Sequence, residues 1–563
     1  MTTPIIAFKN FSFRYKTQQA PTLKHINLNI YPGEKVLILG PSGSGKSTLG
    51  KCLNGLIPNH DQGEFSGTAV VNGKPVAHTS IFQRSRDVGT VLQDSDAQFV
   101  GLSVGEDISF YLENLATPLA EMRTATKQAA AQVDIDHFLD HLPFDLSGGQ
   151  KQRTSIAGVL QGQAPILLFD EPLAALNPNM SHSIIDLIDR LNREAQKTVV
   201  IIEHRLEEVL YRHVDRIILL KAGEIVATGT PDELLRGDQL EQCGIRRPLY
   251  LECLQKISDH PLPPTGVADL DDIDLRPYQD DVQHFLQRHP TPAAPASASA
   301  EPVIEVRDLL YSYDGQHAVT NIDHLAIHPG ERISIVGQNG AGKSTLAKLL
   351  TGVLRPTAGE IIENGQTIAQ QSIQEIGQHV GYIMQDPNKM IVEDTVADEA
   401  GLALHLRGVA PDQVQQRVAA ALKVTDLYTM RHWPVNALSF GQKRRLNIAS
   451  VLVLHPSCLI LDEPTAGQDY YHYRRVMDFI ADFAQRAHIT LLVITHDMQL
   501  TLEYTDRTLV VDDGHVIADD QPARILANAA LVSRAGLAQT SIYRLADRLH
   551  VNGAQLAQAT SEL

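Results

Sequence analysis

The run Gly40-Pro41-Ser42-Gly43-Ser44-Gly45-Lys46-Ser47-Thr48 carries the residue types that hold a polyphosphate. Its glycines let backbone N–H groups curl around phosphate oxygens at the start of a helix, where unpaired donors and the helix dipole favour an anion. The lysine reaches the terminal phosphates, and the serine hydroxyl can ligate magnesium. The same pattern returns as Gly337-Gln338-Asn339-Gly340-Ala341-Gly342-Lys343-Ser344-Thr345. Both runs follow a short β-branched stretch and precede a helix-like segment. That context separates a phosphate loop from a glycine-rich turn that merely exposes a lysine.

A second constellation lies downstream. Ile166-Leu-Leu-Phe-Asp170-Glu171 and Leu459-Ile-Leu-Asp462-Glu463 each end an apolar strand in two carboxylates. In this setting the aspartate holds magnesium through its water shell and the glutamate polarises an attacking water. His204 and His496 each follow a further apolar strand. Between these landmarks stand Ser147-Gly148-Gly149-Gln150 and Ser439-Phe440-Gly441-Gln442. A serine N-cap before a long helix-like segment makes another anion-binding helix start.

The elements that must position these residues are written twice. The pairs Gln93/Gln385, Ser147/Ser439, Glu171/Glu463 and His204/His496 are all 292 residues apart, whereas Lys46/Lys343 are 297 apart. The first copy therefore carries a longer loop between its lysine and its glutamine. Spacing kept over more than a hundred residues marks two homologous domains. Within each, short continuous apolar runs alternate with helix-like segments, as in residues 35–39, 166–169 and 198–202. Such runs suit strands covered on both faces, so the fold class is α/β, with a mainly parallel sheet and functional residues at strand carboxyl ends.

The boundaries follow as 4–246 for the first copy, 247–301 for an insert, 302–534 for the second copy and 535–563 for a C-terminal tail. Residues 258–281 hold seven aspartates and one arginine, and a Pro/Ala-rich stretch follows. By composition the Pro/Ala-rich stretch 289–302 reads as a flexible spacer, a solvated tether between the two copies, and a regulatory role for the acidic part is the lesser alternative.

Composition narrows the function. The 563 residues carry 48 Lys plus Arg against 66 Asp plus Glu, a formal net charge of −18, which argues against a protein that coats nucleic acid. No apolar run approaches the length of a spanning helix, and the N-terminus has no basic region followed by a long apolar stretch. The chain is thus expected in the cytosol and not as a channel itself. Cys52, Cys243, Cys253 and Cys458 have no metal-site spacing and read as reduced, structural residues.

The order of glycine-rich loop, glutamine, Leu-Ser-Gly-Gly-Gln, Asp-Glu and histidine, present in both copies, resembles the ATP-binding cassette ATPases. The resemblance implies ATP and Mg2+ as ligands and a head-to-tail pairing of the two cassettes, with each nucleotide between one copy's phosphate loop and the other's signature serine. It places Tyr15 and Tyr313 on adenine, and assigns Gln93 and Gln385 to magnesium together with Ser47, Asp170, Ser344 and Asp462. One site then joins Lys46, Ser47, Gln93, Glu171 and His204 to Ser439. The other joins Lys343, Ser344, Gln385, Glu463 and His496 to Ser147. Each glutamate would act on water and each histidine would contact the γ-phosphate. Two departures stand out: Phe440 replaces a signature glycine, and Asn177 stands where the second copy has Asp469. They imply two active sites of unequal rate.

Val91-Leu92-Gln93-Asp94-Ser95-Asp96-Ala97-Gln98 and, less closely, Ile383-Met384-Gln385-Asp386-Pro387-Asn388 resemble the corresponding region of the energy-coupling factor importers for vitamins and transition metal ions. The stretch 243–250, followed by the acidic insert, resembles the inter-cassette region of fused ATPases in that group. The resemblance implies a transmembrane scaffold subunit and a membrane substrate-binding subunit as partners, no nucleic acid, and a peripheral place on the cytoplasmic face of the cell membrane. The segments after the two glutamines would form grooves for the scaffold's helices. Tandem sugar importers are the nearer alternative, although their second phosphate loop is commonly degraded. A soluble ATPase of translation or repair is the other.

Overall fold

The computed structural model describes residues 3–93, 96–174, 176, 178–290, 301–465 and 470–561. It divides into two units, with the break between Tyr278 and Gln279, inside the expected insert.

The first unit has two sheets. Strands β1 (Ile6–Tyr15), β2 (Leu23–Ile30), β4 (Gly63–Val71) and β5 (Lys74–Pro75) form an antiparallel sheet in the order β2-β1-β4-β5. The second sheet has the order β10-β9-β3-β8-β7-β6, built from β3 (Lys35–Leu39), β6 (Val88–Val91), β7 (Ile166–Asp170), β8 (Thr198–Ile202), β9 (Arg216–Lys221) and β10 (Glu224–Gly229). It is parallel except for the β9/β10 hairpin. Every residue of β3 and β8 is buried, as a strand covered on both faces requires. One apolar core joins the two sheets through Phe8, Phe13, Ile38, Leu53, Leu168 and Ile202. Helices Val104–Asn114, Leu119–Gln132 and Gly148–Leu160 form the helical part of the cassette.

The second unit repeats this plan. Strands β11 (Ile304–Tyr311), β12 (Thr320–Ile327), β14 (Ala358–Glu363) and β15 (Gln366–Thr367) pair as β12-β11-β14-β15. The parallel sheet runs β16-β17-β18-β13-β19-β20, from β13 (Arg332–Val336), β16 (Val380–Ile383), β17 (Cys458–Asp462), β18 (Thr490–Ile494), β19 (Arg507–Asp512) and β20 (His515–Asp520). Helices Val396–Leu406, Pro411–Val424 and Phe440–Leu452 pack their own core around Leu404, Leu422 and Leu446.

The acidic part of the insert is folded, whereas 291–300 of the Pro/Ala-rich spacer lie outside the described residues. Val267, Leu270, Ile273, Leu275 and Tyr278 are buried within the aspartate-rich run. The Asp232 carboxylate accepts the Gly266 and Ala268 amides at 2.9 Å each, and the Tyr250 hydroxyl donates to Val267 O at 2.6 Å. Helix Gln279–Arg288 belongs to the second unit, where Gln555 Nε2 donates to Leu286 O and His289 O at 2.9 and 3.0 Å. The apolar residues recur every two or three positions, which a count of charges conceals. The C-terminal stretch likewise forms helices Ser541–Arg548 and Gly553–Ser561, with Leu545 and Leu556 fully buried.

One buried charge has no counterpart in the first unit. Ile6 pairs with Val71 in β1/β4, whereas Ile304 pairs with Glu363 in β11/β14. Glu363 is buried, and among the described residues neither carboxylate oxygen has a hydrogen-bond partner. Burial pushes its carboxyl up to about 7. A raised carboxyl favours the folded state below its unfolded value near 4.5, and that advantage is lost as pH rises through about 7. Glu363→Val is therefore expected to stabilise the protein by on the order of 3 kcal/mol at pH 8 and by much less at pH 5. Thermal unfolding at the two pH values checks this, and an equal gain at both would refute it.

Candidate nucleotide sites

Each phosphate loop leaves the carboxyl end of a central parallel strand, β3 or β13, and leads into helix Lys46–Asn54 or Lys343–Leu350. Gly45 and Gly342 cap these helices with φ of 103° and 99°, a left-handed conformation that costs glycine little, and neither end has a side-chain cap. A Cβ on Gly40 would lie 2.1 Å from Leu220 O, and one on Gly337 would lie 2.0 Å from Val511 O. No other residue fits there. Both lysines are buried and curl over their own loops: Lys46 Nζ donates to Gly40 O and Pro41 O at 2.6 and 3.1 Å, and Lys343 Nζ to Gly337 O and Gln338 O at 2.8 and 2.7 Å. Space beside Gly43 and Gly340 is open.

Asp170 ends β7 and Asp462 ends β17, each followed by its glutamate, and each of these strands pairs with the neighbour, β8 or β18, of the strand that leads into the phosphate loop. Glu171 and Glu463 adopt φ of 50° and 48°, held there by hydrogen bonds from their amides to Ile202 O and Ile494 O at 2.8 and 2.9 Å. Left-handed backbone at a non-glycine residue stores a modest strain, here repeated at the glutamate of both carboxylate pairs. Among the described residues, Ser44 Oγ and Asp170 Oδ1 are buried without a hydrogen-bond partner. These orphaned oxygens beside a cationic loop fit a nucleotide with a divalent cation. Burial, then the Glu171 charge, raises the Asp170 carboxyl to about 6.

The two copies differ around the glutamates. Gln93 Nε2 donates to Glu171 Oε2 at 2.6 Å, and His204 Nδ1 stands 3.8 Å from Glu171 Oε1. Burial disfavours both charges, but the mutual attraction outweighs it: Glu171 lies below the ordinary carboxylate value and His204 above the ordinary histidine value. In the second copy His496 Nε2 is 3.2 Å from Glu463 Oε1, and burial pushes the Glu463 carboxyl up to about 8. Among the described residues the Gln385 side chain makes no hydrogen bond to Glu463; only its carbonyl is engaged, by Arg444 Nη2 at 2.6 Å.

The signature serines cap helices Gly148–Leu160 and Phe440–Leu452 through reciprocal bonds with Gln150 and Gln442. Each serine oxygen accepts from an amide, which leaves its O–H free to point at an anion. Gly441 has open space around it, Gly149 packs near Met180, and Phe440 is half-exposed with the Arg444 guanidinium 5.5 Å from its ring. The Tyr15 and Tyr313 hydroxyls lie 3.2 and 3.4 Å from Thr48 Oγ1 and Thr345 Oγ1, so both rings stand beside the helix that follows their phosphate loop. Each unit thus gathers its own tyrosine, phosphate loop, glutamine, Asp-Glu pair and histidine around one sheet end, and holds its signature serine on a separate helix start. Asn177 and Asp469, like Asp94 and Ser95, lie outside the described residues.

Three positions matter that the motif reading passed over. Glu203, fully buried, accepts the His204 amide at 2.9 Å and the Leu173 amide at 3.3 Å, tying the histidine to the segment after Glu171. Tyr382 donates to Asp462 Oδ2 at 2.8 Å, where the first copy has Thr90. Arg444 stands where the first copy has Gln152. Comparison of the copies at the 292-residue offset is the signal that finds all three.

Large apolar side chains are exposed downstream of both glutamines. Val100, Leu102, Phe110 and Phe144 are exposed in the first unit, and Val392, Leu406 and Trp433 in the second. No helix among the described residues is long and apolar enough to cross a membrane.

A strand-to-loop phosphate cradle, a strand-end carboxylate pair and a serine-capped signature helix, each present twice, define a tandem P-loop ATPase of cassette type. Residues 23–174 and 320–466 match the ABC transporter family, and residues 237–311 match a family described as ATP-binding cassette cobalt transporter. A provisionally named ABC transporter ATP-binding protein of Lactiplantibacillus plantarum is 50% identical over 556 residues, covering 98% of this chain and 97% of the relative. A similarly named protein of Enterococcus faecalis is 49% identical over 551 residues, covering 98% and 96%. The solved structure of cbiO1 from Clostridium perfringens, part of the ABC transporter complex cbiONQ, is 30% identical, covers 45% of this chain and 98% of its own, and has a TM-score of 0.40. The chain belongs to the ABC transporter ATP-binding proteins: it binds ATP through two cassettes and hydrolyses it to drive transport.

Proposed function

We propose that this chain is the energy-coupling ATPase of an importer for a transition metal ion, a vitamin or a vitamin precursor. The observation that carries this reading is the match of residues 237–311 to the cobalt-transporter family, across the very insert that folds against the first unit. Exposed apolar residues after Gln93 and Gln385 support docking to the helices of a membrane scaffold subunit, which would hold the chain on the cytoplasmic face of the membrane. Cargo choice then rests with a further membrane subunit.

In the proposed mechanism the loop amides, Lys46 and Lys343 bind and orient the phosphates of ATP. Ser47, Gln93 and Asp170 in one site, and Ser344, Gln385 and Asp462 in the other, would hold Mg2+. When bound, Mg2+ would supply positive charge that offsets the negative charge of the phosphates. Glu171 and, in its ionised form, Glu463 would accept the proton of the attacking water, while His204 and His496 would contact the γ-phosphate. Ser147 and Ser439 complete the sites by head-to-tail pairing of the cassettes, each serine's O–H donating to the γ-phosphate bound by the other copy.

Affinity purification from detergent-solubilised cells is expected to recover a small, highly hydrophobic scaffold subunit with the chain. Deletion of the chain is expected to abolish uptake of the cognate ion or vitamin, with radiolabelled cobalt as the first cargo tried. Recovery of ribosomes in place of a membrane subunit would overturn the transporter reading.

A further inference from the structure

The two cassettes anchor their catalytic segments differently. In the first, the segment after Glu171 is tied to the histidine loop: Glu203 accepts the Leu173 amide, and Arg205 Nη1 donates to Leu173 O at 3.0 Å. The second copy has Thr495 and Asp497 at these places, and there the Asp497 amide donates to Thr495 Oγ1 at 3.0 Å. Its catalytic segment is held from another direction. Arg444, almost wholly buried in the helix that begins at the signature serine, donates through Nη1 to Pro464 O, directly after Glu463. Through Nη2 it donates to Gln385 O at 2.6 Å. The same helix grips the glutamine turn twice more, with Lys443 Nζ 2.9 Å from Asn388 Oδ1 and Asn447 Nδ2 3.0 Å from Pro387 O. The first copy carries Gln152 and Ser155 where the second has Arg444 and Asn447. A glutamine brings one uncharged NH2 group on a shorter side chain, whereas the guanidinium reaches further and donates to the two carbonyls from two separate, charged nitrogens.

We propose that Arg444 is a positioning residue that locks the signature turn of the second cassette to that cassette's own glutamate and glutamine turn. A buried guanidinium is costly to desolvate and is retained here with two backbone carbonyls as its acceptors and an aromatic ring at its side. Both carbonyls flank functional groups: Pro464 follows Glu463, and Gln385 carries the side chain assigned to magnesium. Any shift of Glu463 or Gln385 is therefore felt at the helix whose N-cap is Ser439, through these direct hydrogen bonds and without a path through the apolar core. The first cassette has Gln152 at this place and ties Leu173, two residues after Glu171, to the histidine loop. The inference rests on the proposed roles of Glu463 and Ser439.

The test compares Arg444→Gln, the residue of the first copy, with Arg444→Lys in the full chain, by ATP turnover and by amide hydrogen exchange with and without ATP. Arg444→Gln is expected to lower kcat about tenfold or more while KM moves by less than about threefold, because binding groups stay in place and only alignment is lost. Amides at 385–388 and 439–442 are expected to exchange about tenfold faster or more, and the same segments of the first copy are expected to remain unchanged. Arg444→Lys, with one compact donor group, is expected to fall between. Unchanged exchange at 439–442, or faster exchange spread through the whole second unit, overturns the proposal, as does an unaltered kcat. Failure of the underlying assignment shows separately, as wild-type turnover by Glu463→Gln.

Discussion

Glu463→Gln is expected to lower steady-state ATP hydrolysis about tenfold or more, and at least as severely as Glu171→Gln. Glutamine keeps the volume and the left-handed backbone of a residue whose amide is held by Ile494 O, so the fold is left intact. What disappears is a proton acceptor, worth about 10²- to 10⁴-fold where it acts as general base. The inequality comes from the signature turns. In the proposed pairing Glu171 works opposite Ser439-Phe440, where a phenylalanine occupies a place that glycine leaves open, and Glu463 works opposite Ser147-Gly148. The site of Glu463 is thus expected to be the faster one, so that its loss weighs more. The double substitution is expected to fall about 10²- to 10⁴-fold below wild type. Phosphate-release assays on the three variants decide it: Glu463→Gln close to wild type, or Glu171→Gln clearly the more damaging, rejects the assignment.

Lys343→Ala is expected to weaken nucleotide binding at its site about 10²- to 10⁴-fold and so to halve the nucleotide bound per chain at concentrations that just saturate wild type. Lys343 Nζ is already fixed above the loop by Gly337 O and Gln338 O, so little ordering remains to be done when phosphate arrives. Two charge-assisted hydrogen bonds at about 1.5 to 3 kcal/mol each account for the loss. Burial lowers the Lys343 ammonium to about 8, a sign of how strongly this pocket needs a counter-charge. Lys46→Ala is expected to do the same in the first cassette, and titration with a fluorescent ATP analogue reads both. Full stoichiometry in either variant would falsify the placement of the lysines on phosphate.

Much of the site was legible in the residue order because its parts are local. A phosphate loop is a strand end, a few glycines and a helix start, all within ten residues, and each glycine answers to a backbone demand that no distant contact alters. The strands β3, β7, β8, β13, β17 and β18 were equally plain, since continuous apolar runs between turn residues have few other uses in an α/β fold. The insert was not. Its aspartates dominate composition, and the buried Val267, Leu270, Ile273, Leu275 and Tyr278 acquire meaning only against the surface they cover.

The sequence by itself determined that there are two cassettes, where each phosphate loop, carboxylate pair, signature serine and histidine lies, and that both copies retain the full set. Only the tertiary structure decided how these parts are wired: Gln93 to Glu171 across 78 residues, Tyr382 to Asp462 across 80, and Arg444 to Gln385 across 59. The reason is physical. Local backbone conformation follows from neighbouring residues, whereas a hydrogen bond between distant side chains depends on sheet order and helix packing, which the whole chain sets together.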